Sequence, residues 1–284
     1  MPIPQGSLER KTSFFLPLLL LDSPRRKGLE LLYRFCWAAD DLADGPGSPA
    51  EKRSRLKAFQ RDFESCLRGR PSGGFWRDFG AAVGSFRLSP GPLRAILVGV
   101  TRDLKPIHFK RFSELHSYAL QVAGGPGLAA MEIFGGRTPA HRRYAENLGV
   151  YLQITNITRD FLEDRSLGRQ YLPLEDFKSH GIDPHHPVPG TAWDFFVRFQ
   201  LDRARSHWDA ACAALPKRER GRLATAEGIA AVYGVLHRKL WWHPGRVLEG
   251  KVSLSRREKA FATLGAAARC AVWRVKPIPD DCGC

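Results

Sequence analysis

Two short acidic clusters stand out in this chain, which is otherwise strongly basic. The first is "DDLAD" at residues 40–44, and the second lies within "NITRDFLEDRSLGRQYLP" at residues 156–173. If both segments are helical, Asp40 and Asp44 share one helix face, as do Asn156, Asp160 and Asp164, because residues four apart are neighbours on a helix. Carboxylate and amide oxygens are the ligands that Mg²⁺ prefers. Two such clusters that face each other are predicted to hold Mg²⁺ and, through it, a diphosphate group.

A simpler interpretation makes these residues surface acids that pair with neighbouring arginines, here Arg159, Arg165 and Arg169. Unbalanced like charges four residues apart, however, destabilise a helix by a few tenths of a kcal/mol per pair. For one cluster alone the two interpretations are equally good. Two clusters, each embedded in an apolar helical segment, favour the metal site.

The segments that carry these acids are predicted to be helices. Apolar residues recur at helical spacing through most of the chain, and alternating strand patterns are almost absent. The first cluster ends a predicted helix with Ser23 as its N-cap, and the second lies in a long predicted helix that ends near Gly168. The "GGP" at 124–126 should break or kink another helix. The sequence thus predicts one all-α domain over residues 1–274, followed by a polar tail at 275–284.

The overall charge indicates an anionic partner. The 44 basic and 29 acidic residues give a net charge of +15, which suits nucleic acid, a membrane surface or a phosphorylated substrate. The apolar run "FFLPLLLL" at 14–21 is about half the ~20 residues that cross a bilayer, so it is predicted to be neither a signal nor an anchor. Six scattered cysteines without paired CxxC spacing indicate reduced thiols and a cytoplasmic protein.

Longer motifs give the chain a family resemblance. "YRFCWAADDLAD" and "LQITNITRDFLEDRSLGRQYLP" resemble the two aspartate-rich signatures of the squalene/phytoene synthase family. "TSFFLPLLLLDSPRR", "YALQVAGGPG" and "KVSLSRREKA" are similar to its N-terminal Ser-Phe segment, its Tyr-x-x-x-Val-Ala-Gly kink and its basic C-terminal motif. The resemblance runs from about residue 12 to about residue 265.

The resemblance implies an isoprenoid synthase fold, a single-domain helical bundle around a central cavity, in which two prenyl diphosphates are joined head to head. The implied catalytic residues are Asp40, Asp44, Asp160, Asp164 and Tyr118. The implied metal ligands for Mg²⁺ are Asp40, Asp44, Asn156, Asp160 and Asp164. The implied substrate-binding residues are Ser13, Phe14, Tyr33, Gln153, Asn156, Arg159, Arg169, Tyr171 and Tyr233.

Substrate length and product are left open by the sequence. "EIFGG", "LPLEDFKSHGI" and "KVSLSRREK" are most similar to bacterial presqualene diphosphate synthases, which favours two farnesyl diphosphates over the two geranylgeranyl diphosphates of phytoene synthesis. NADPH is expected only if squalene is the final product, and no Gly-rich dinucleotide motif is present. Trp37 stands where most family members carry an arginine, so one substrate contact is either lost or supplied by a neighbour such as Arg34.

Two other functions would account for part of the sequence. A non-catalytic assembly factor with a synthase fold would be expected to have lost its acidic clusters, and here both are intact. The stretch "HRKLWWHPGR" at 237–246 could suit nucleic acid, but it is interpreted as a surface that faces anionic lipid, because the products are strongly apolar. The expected partners are therefore prenyl diphosphates, a peripheral membrane surface on the cytoplasmic face and enzymes that use the product, with no nucleic acid.

Overall fold

The computed structural model describes residues 15–275, and its regular structure is almost entirely helical. The α-helices in this range are α1 (Phe15–Leu18), α2 (Ser23–Asp44), α3 (Pro49–Leu67), α4 (Gly74–Ser85), α5 (Pro90–Arg102), α6 (Phe112–Ala119), α7 (Gly125–Phe134), α8 (Pro139–Arg159), α9 (Phe161–Ser166), α10 (Leu174–Ser179), α11 (Thr191–Ala214), α12 (Lys217–Arg222), α13 (Ala224–Trp242) and α14 (Arg256–Val275). A π-helical turn, Leu120–Gly124, joins α6 to α7, and a 3₁₀ turn, Pro244–Leu248, follows α13. The predicted all-α fold is confirmed.

Helix α2 carries the first acidic cluster at its C-terminal end. Its N-cap is Asp22, whose carboxylate accepts a hydrogen bond from the backbone N–H of Arg25 at 2.9 Å. The prediction of Ser23 as N-cap is therefore wrong by one residue, since the neighbouring aspartate is an equally suitable cap. Leu29, Leu32 and other apolar residues bury the inner side of the helix.

The predicted interruption at residues 124–126 takes the form of the π turn. Pro126 follows it within the first turn of α7, where a missing backbone N–H is tolerated. Helix α8 packs closely against this turn at Gly149. A Cβ atom at Gly149 would lie 2.6 Å from the carbonyl oxygen of Ala123, so glycine is required there.

The second acidic cluster lies where α8 gives way to α9. The prediction of one helix that continues to Gly168 is wrong, because α8 ends at Arg159 and α9 begins at Phe161. The break is slight, since the backbone N–H of Asp160 donates to Asn156 at 2.8 Å and that of Asp164 donates to Asp160 at 2.9 Å. Successive acids therefore keep approximately helical spacing.

Two short strands bring distant segments together beside the acids. Strand β1 (Ile107–His108) follows α5, and β2 (Arg169–Gln170) follows α9. They pair in parallel, with Ile107 opposite Arg169. This pairing holds the chain that follows α5 against the end of the second acidic segment.

Two buried apolar clusters form the core. One is built mainly from α2 to α5 and α7, and the other mainly from α6, α8, α11 and α13. No helix among residues 15–275 is both long enough and apolar enough to span a membrane. The boundary between the domain at 1–274 and the tail at 275–284 stays a prediction, because nearly all of the tail lies outside the described residues.

Candidate active site

An apolar cavity of about 340 Å³ lies between the two buried clusters. Most of its lining is aliphatic or aromatic and comes from α1, α2, α7, α8, α13 and the π turn. Its volume is within the range of about 300–1,000 Å³ that is typical of small-molecule pockets. The predicted site residues that line it are Tyr33, Asp40, Gln153, Asn156 and Tyr233.

The first acidic cluster stands at one side of this cavity. The carboxyl group of Asp40 reaches solvent, yet protein surrounds it within the concave site. This desolvation, reinforced by the negative charges of Asp103 and Asp44, raises the pKa of Asp40 to about 7, although the positive charge of Arg169 opposes the change. Asp44 forms an ion pair with Arg169 across 125 residues of sequence.

The second acidic cluster is flanked by basic groups. Asp160 forms an ion pair with Arg159 and a second one with Lys251, whose Nζ lies 3.3 Å from Oδ1 of Asp160. Asp164 is partly buried, and this burial, followed by the charge of Asp160, raises its pKa to about 8. Glu163 adds to the effect and also pairs with Lys251 at 2.8 Å.

Both clusters border the same space. Asp103 and Arg169 influence the pKa of Asp40, and the same two groups influence the pKa of Asp164. Arg169, whose side chain is only 10% exposed, also contacts Asp44 directly. The two clusters therefore lie near the same pair of charged groups, and the opposed arrangement of their carboxylates stays a prediction.

Asp103, which the sequence prediction did not include, joins two of the predicted residues. The hydroxyl of Tyr171 donates to its carboxylate at 2.8 Å and that of Tyr118 at 2.9 Å, and the two hydroxyls lie 3.1 Å apart. Burial raises the pKa of Asp103 to about 6 despite these hydrogen bonds and the nearby Arg169. The only hint in the sequence is a single acid between Arg102 and Lys105, which is typical of a solvated surface.

Asn156 links the second acidic segment to α13. It lies one helical turn before Asp160 on α8, and its Oδ1 accepts a hydrogen bond from the hydroxyl of Tyr233 at 3.1 Å. This bond fixes the amide so that its oxygen retains a second lone pair for another ligand. Gln153, one turn earlier, lines the cavity beside it.

Basic side chains lie on the same side of the site as the second acidic cluster. Burial and the positive charge of Arg159 lower the pKa of Lys259, so these two cations lie near each other. Lys259 and Lys251 both belong to the segment "KVSLSRREK", which begins after the 3₁₀ turn. Arg159 and Lys251 thus adjoin the acids of the second cluster and Lys259 lies near Arg159, which is an arrangement suited to diphosphate oxygens.

The acids fit Mg²⁺ as ligands. Among the described residues no three acidic, histidine or cysteine side chains form a complete metal site by themselves. Mg²⁺ does not require one, since it commonly binds one or two protein carboxylates and completes its octahedron with water and phosphate oxygens. Burial, followed by neighbouring carboxylates, raises the pKa values of Asp40 and Asp164, and a divalent cation would favour the charged form of both groups.

The wall beside the first cluster departs from the family pattern. Trp37 lines the cavity one turn before Asp40 and is 41% exposed. Arg34, which could have replaced the missing family arginine, is not among the cavity-lining residues, and its guanidinium lies 5.0 Å from the ring centre of Phe75. The predicted residues Ser13 and Phe14 lie outside the described part of the chain.

Comparison with known proteins agrees with this geometry. Residues 9–258 match the family model described as squalene/phytoene synthase. A presqualene diphosphate synthase from Zymomonas mobilis is 31% identical over 86% of this chain and 87% of its own length. A phytoene synthase from Daucus carota is 30% identical over 72% of this chain, which spans only 53% of that longer protein.

Solved structures show the same fold. A dehydrosqualene synthase in complex with a ligand has a TM-score of 0.76, with 20% identity over 93% of both chains. A squalene synthase from Alicyclobacillus acidocaldarius has a TM-score of 0.66, with 19% identity over 93% of this chain and 89% of its own. At these identities the structural likeness shows the fold alone. Membership of a family rests instead on the family model and on the sequence identity with the Zymomonas relative. The chain belongs to the squalene/phytoene synthase family and is a prenyltransferase of that type.

Proposed function

We propose that this enzyme condenses two farnesyl diphosphates to presqualene diphosphate in a Mg²⁺-dependent reaction that releases one diphosphate. The proposal is supported by an apolar cavity that Asp40 and Asn156 both line, and by the two charged neighbours, Asp103 and Arg169, that Asp40 and Asp164 share. The choice of the C15 substrate is supported by the Zymomonas relative, which matches along nearly its whole length. Geranylgeranyl diphosphate is the alternative, because phytoene synthases match at similar identity.

The two clusters would hold the metal from opposite walls. Asp40 and Asp44 are the proposed ligands on α2, and Asn156, Asp160 and Asp164 those near the junction of α8 and α9. Bound Mg²⁺ supplies Lewis-acid neutralisation of the diphosphate leaving group.

Basic groups would orient the diphosphates. Arg169 lies between the clusters, and Arg159 lies close to Lys259 at the second cluster. Arginine is suited to this task because its planar guanidinium can donate two parallel hydrogen bonds to phosphate oxygens. In the present structure Arg159 and Arg169 are paired with aspartates, so substrate binding would exchange these ion pairs for contacts to phosphate.

The apolar cavity would protect the allylic cation from water until the double bond of the second prenyl chain attacks it. Tyr118 lies one turn before Val122, which lines the cavity. The hydroxyl oxygens of Tyr118 and Tyr171 are electron-rich, and their hydrogen bonds to Asp103 increase that character. We assign these tyrosines to electrostatic stabilisation of the cation, with Asp103 as the residue that positions them.

The test is product analysis with each candidate substrate. Purified protein is incubated with Mg²⁺ and labelled C15 or C20 diphosphate, with and without NADPH, and the products are separated by chromatography. A C30 diphosphate from the C15 substrate, formed without NADPH, is expected. Phytoene from the C20 substrate would replace the proposal with its alternative, and squalene formed only with NADPH would extend the reaction by a reduction.

A pair of matched variants tests the metal assignment. Asp40→Asn removes one proposed ligand and should abolish turnover, while Asp78→Asn changes an exposed acid on α4 and should not. Circular dichroism serves as the folding control for both proteins. Full activity in Asp40→Asn would exclude this carboxylate from the metal site.

The cellular setting is also a proposal. A C30 product partitions readily from water into a bilayer. We therefore propose that the enzyme works in the cytoplasm at the inner membrane surface, and that it passes its product to the next isoprenoid enzyme. NADPH enters this scheme only if squalene is the final product.

A further inference from the structure

Helix α14 has an exposed apolar surface that the proposed reaction does not use. Phe261 is 76% exposed, Leu264 63% and Val272 51%. Together with the exposed Ala268 they follow the spacing i, i+3, i+7 and i+11, which places them on one side of the helix. The opposite side is buried through Thr263, Ala266 and Cys270. A helix that is apolar on both sides indicates a second contact beyond the protein core.

A neighbouring segment adds to this surface. Helix α1 lies against both α13 and α14, and the residues just after it, Leu19 and Leu20, are 52% and 39% exposed. The preceding residue, Leu18, lines the active-site cavity. The outer apolar residues therefore adjoin a wall of the cavity in which an apolar product would form.

The surroundings of this surface are cationic. Arg257 and Arg269 are exposed and flank the apolar row on α14, whereas Arg274 donates from Nε to the carbonyl oxygen of Gly221 at 2.7 Å; Glu258 is the single acid of α14 among the described residues. A second copy of this chain would bring an identical set of positive charges, which would repel the first. An anionic bilayer offers both an apolar interior and negative charge.

We propose that the α14 surface, defined as Phe261, Leu264, Val272, Leu19 and Leu20 with Arg257 and Arg269, seats the protein on anionic lipid. The reason for a membrane contact rests on the proposed function, since a C30 product has little solubility in water. The location of the contact rests only on the exposed apolar residues and the charges around them.

This location differs from the stretch 237–246 that the sequence indicated. There, Trp241 is partly buried and its ring is stacked on His237, whereas Trp242 is 70% exposed. Pro17 of α1 contacts α13 at Gly228, 14 residues before Trp242. Because a helix rises 1.5 Å per residue, this contact and Trp242 are about 20 Å apart along α13, and the two surfaces have no residue in common. They can therefore be altered separately.

Vesicle flotation of the full chain tests the proposal. The vesicles contain phosphatidylcholine alone or with about 30 mol% phosphatidylglycerol. Wild-type protein should float with the anionic vesicles at low salt and bind less as salt is raised, since screening weakens the attraction of exposed charges. Failure of wild-type protein to float with the anionic vesicles would overturn the proposal.

Two double variants locate the contact. F261S/L264S removes the largest exposed side chains of the α14 surface, and F195S/W242S removes two comparably exposed ones near the C-terminal end of α13. We expect F261S/L264S to reduce the vesicle partition coefficient about tenfold or more, because two apolar side chains no longer enter the bilayer. F195S/W242S should bind like wild type. Loss of binding in F195S/W242S alone, or equal loss in both, would overturn the assignment.

Two further measurements separate the outcomes. Sedimentation velocity identifies a self-association surface: if F261S/L264S converts a dimer to a monomer while flotation is unchanged, the surface binds a second copy and the lipid proposal is wrong. Turnover of detergent-dispersed C15 and C20 diphosphates is measured separately. A protein that floats as expected but turns over neither substrate contradicts the proposed function and leaves the membrane contact supported.

Discussion

Asp164→Asn is expected to stabilise the metal-free protein while it abolishes turnover. Burial and the charges of Asp160, Glu163 and Asp103 raise the pKa of Asp164 from 3.8 to about 8. Between about pH 4 and pH 8 the unfolded chain has released a proton that the folded protein retains, so the free energy of unfolding falls as pH rises through this range. Asparagine has no proton to release and removes this effect.

The magnitude follows from the same pKa values. A change from 3.8 to about 8 corresponds to an upper limit of about 6 kcal/mol, at 1.36 kcal/mol per pKa unit. The Asp164 side chain is partly accessible to solvent, which screens its charge. We therefore expect the free energy of unfolding of Asp164→Asn to exceed that of wild type by about 1–3 kcal/mol at pH 8, and by less at pH 5.

Urea denaturation followed by circular dichroism measures this difference, at both pH values, in EDTA and again with Mg²⁺ and pyrophosphate. These ligands should raise the stability of wild type and raise that of Asp164→Asn much less, because one metal ligand is missing. Asp202→Asn, which changes an exposed acid on α11, is the control and should differ from wild type by no more than about 0.5 kcal/mol. A less stable Asp164→Asn protein, or equal stabilisation by Mg²⁺ and pyrophosphate in both proteins, would refute the reasoning.

Three more substitutions test the packing and the cavity wall. Gly149→Ala places a Cβ atom 2.6 Å from the carbonyl oxygen of Ala123, and urea denaturation should show a loss of about 1–3 kcal/mol. Glu227→Gln leaves the buried Arg220 without its carboxylate partner, so we expect a loss of about 3–5 kcal/mol, whereas an unchanged stability would contradict the role of this ion pair. Trp37→Arg puts a positive charge one turn before Asp40 and should lower its pKa below about 7. The acidic limb of the pH–rate profile should then move to lower pH, while Trp37→Phe should leave it in place.

Local signals in the sequence were sufficient for much of the fold. The predicted all-α class follows from apolar spacing alone, and the π turn falls where glycines and a proline interrupt that spacing. The first residue of a helix is harder to predict where two neighbouring residues are equally suitable N-caps, as Asp22 and Ser23 are at the start of α2. The end of α8 was missed because the helical pattern continues through Asp160, although the backbone there has φ −93° and ψ 14°.

Contacts that depend on distant segments could not be predicted in the same way. Nothing near Asp103 in the sequence indicates Tyr118 and Tyr171 as partners, which lie 15 and 68 residues away. The β1–β2 pairing holds the chain just before Tyr171 against the segment that follows α5. A single acid between two basic residues resembles a surface position until this pairing is known.

The same long-range geometry explains why acids persist in so basic a protein. Arg169 pairs with Asp44, and it also lowers the pKa values of Asp40 and Asp164, yet both values remain far above 3.8. Burial is the largest cause of both shifts, and one guanidinium does not offset it together with the neighbouring carboxylates. Negative charge that protein cations leave uncompensated is destabilising unless a further cation binds. Arg159 and Lys251 pair with Asp160, and Lys259 of α14 lies near Arg159, so these cations belong to the side of the second cluster. We therefore propose that the carboxylates of Asp40 and Asp164 bind a divalent metal and, through it, a diphosphate.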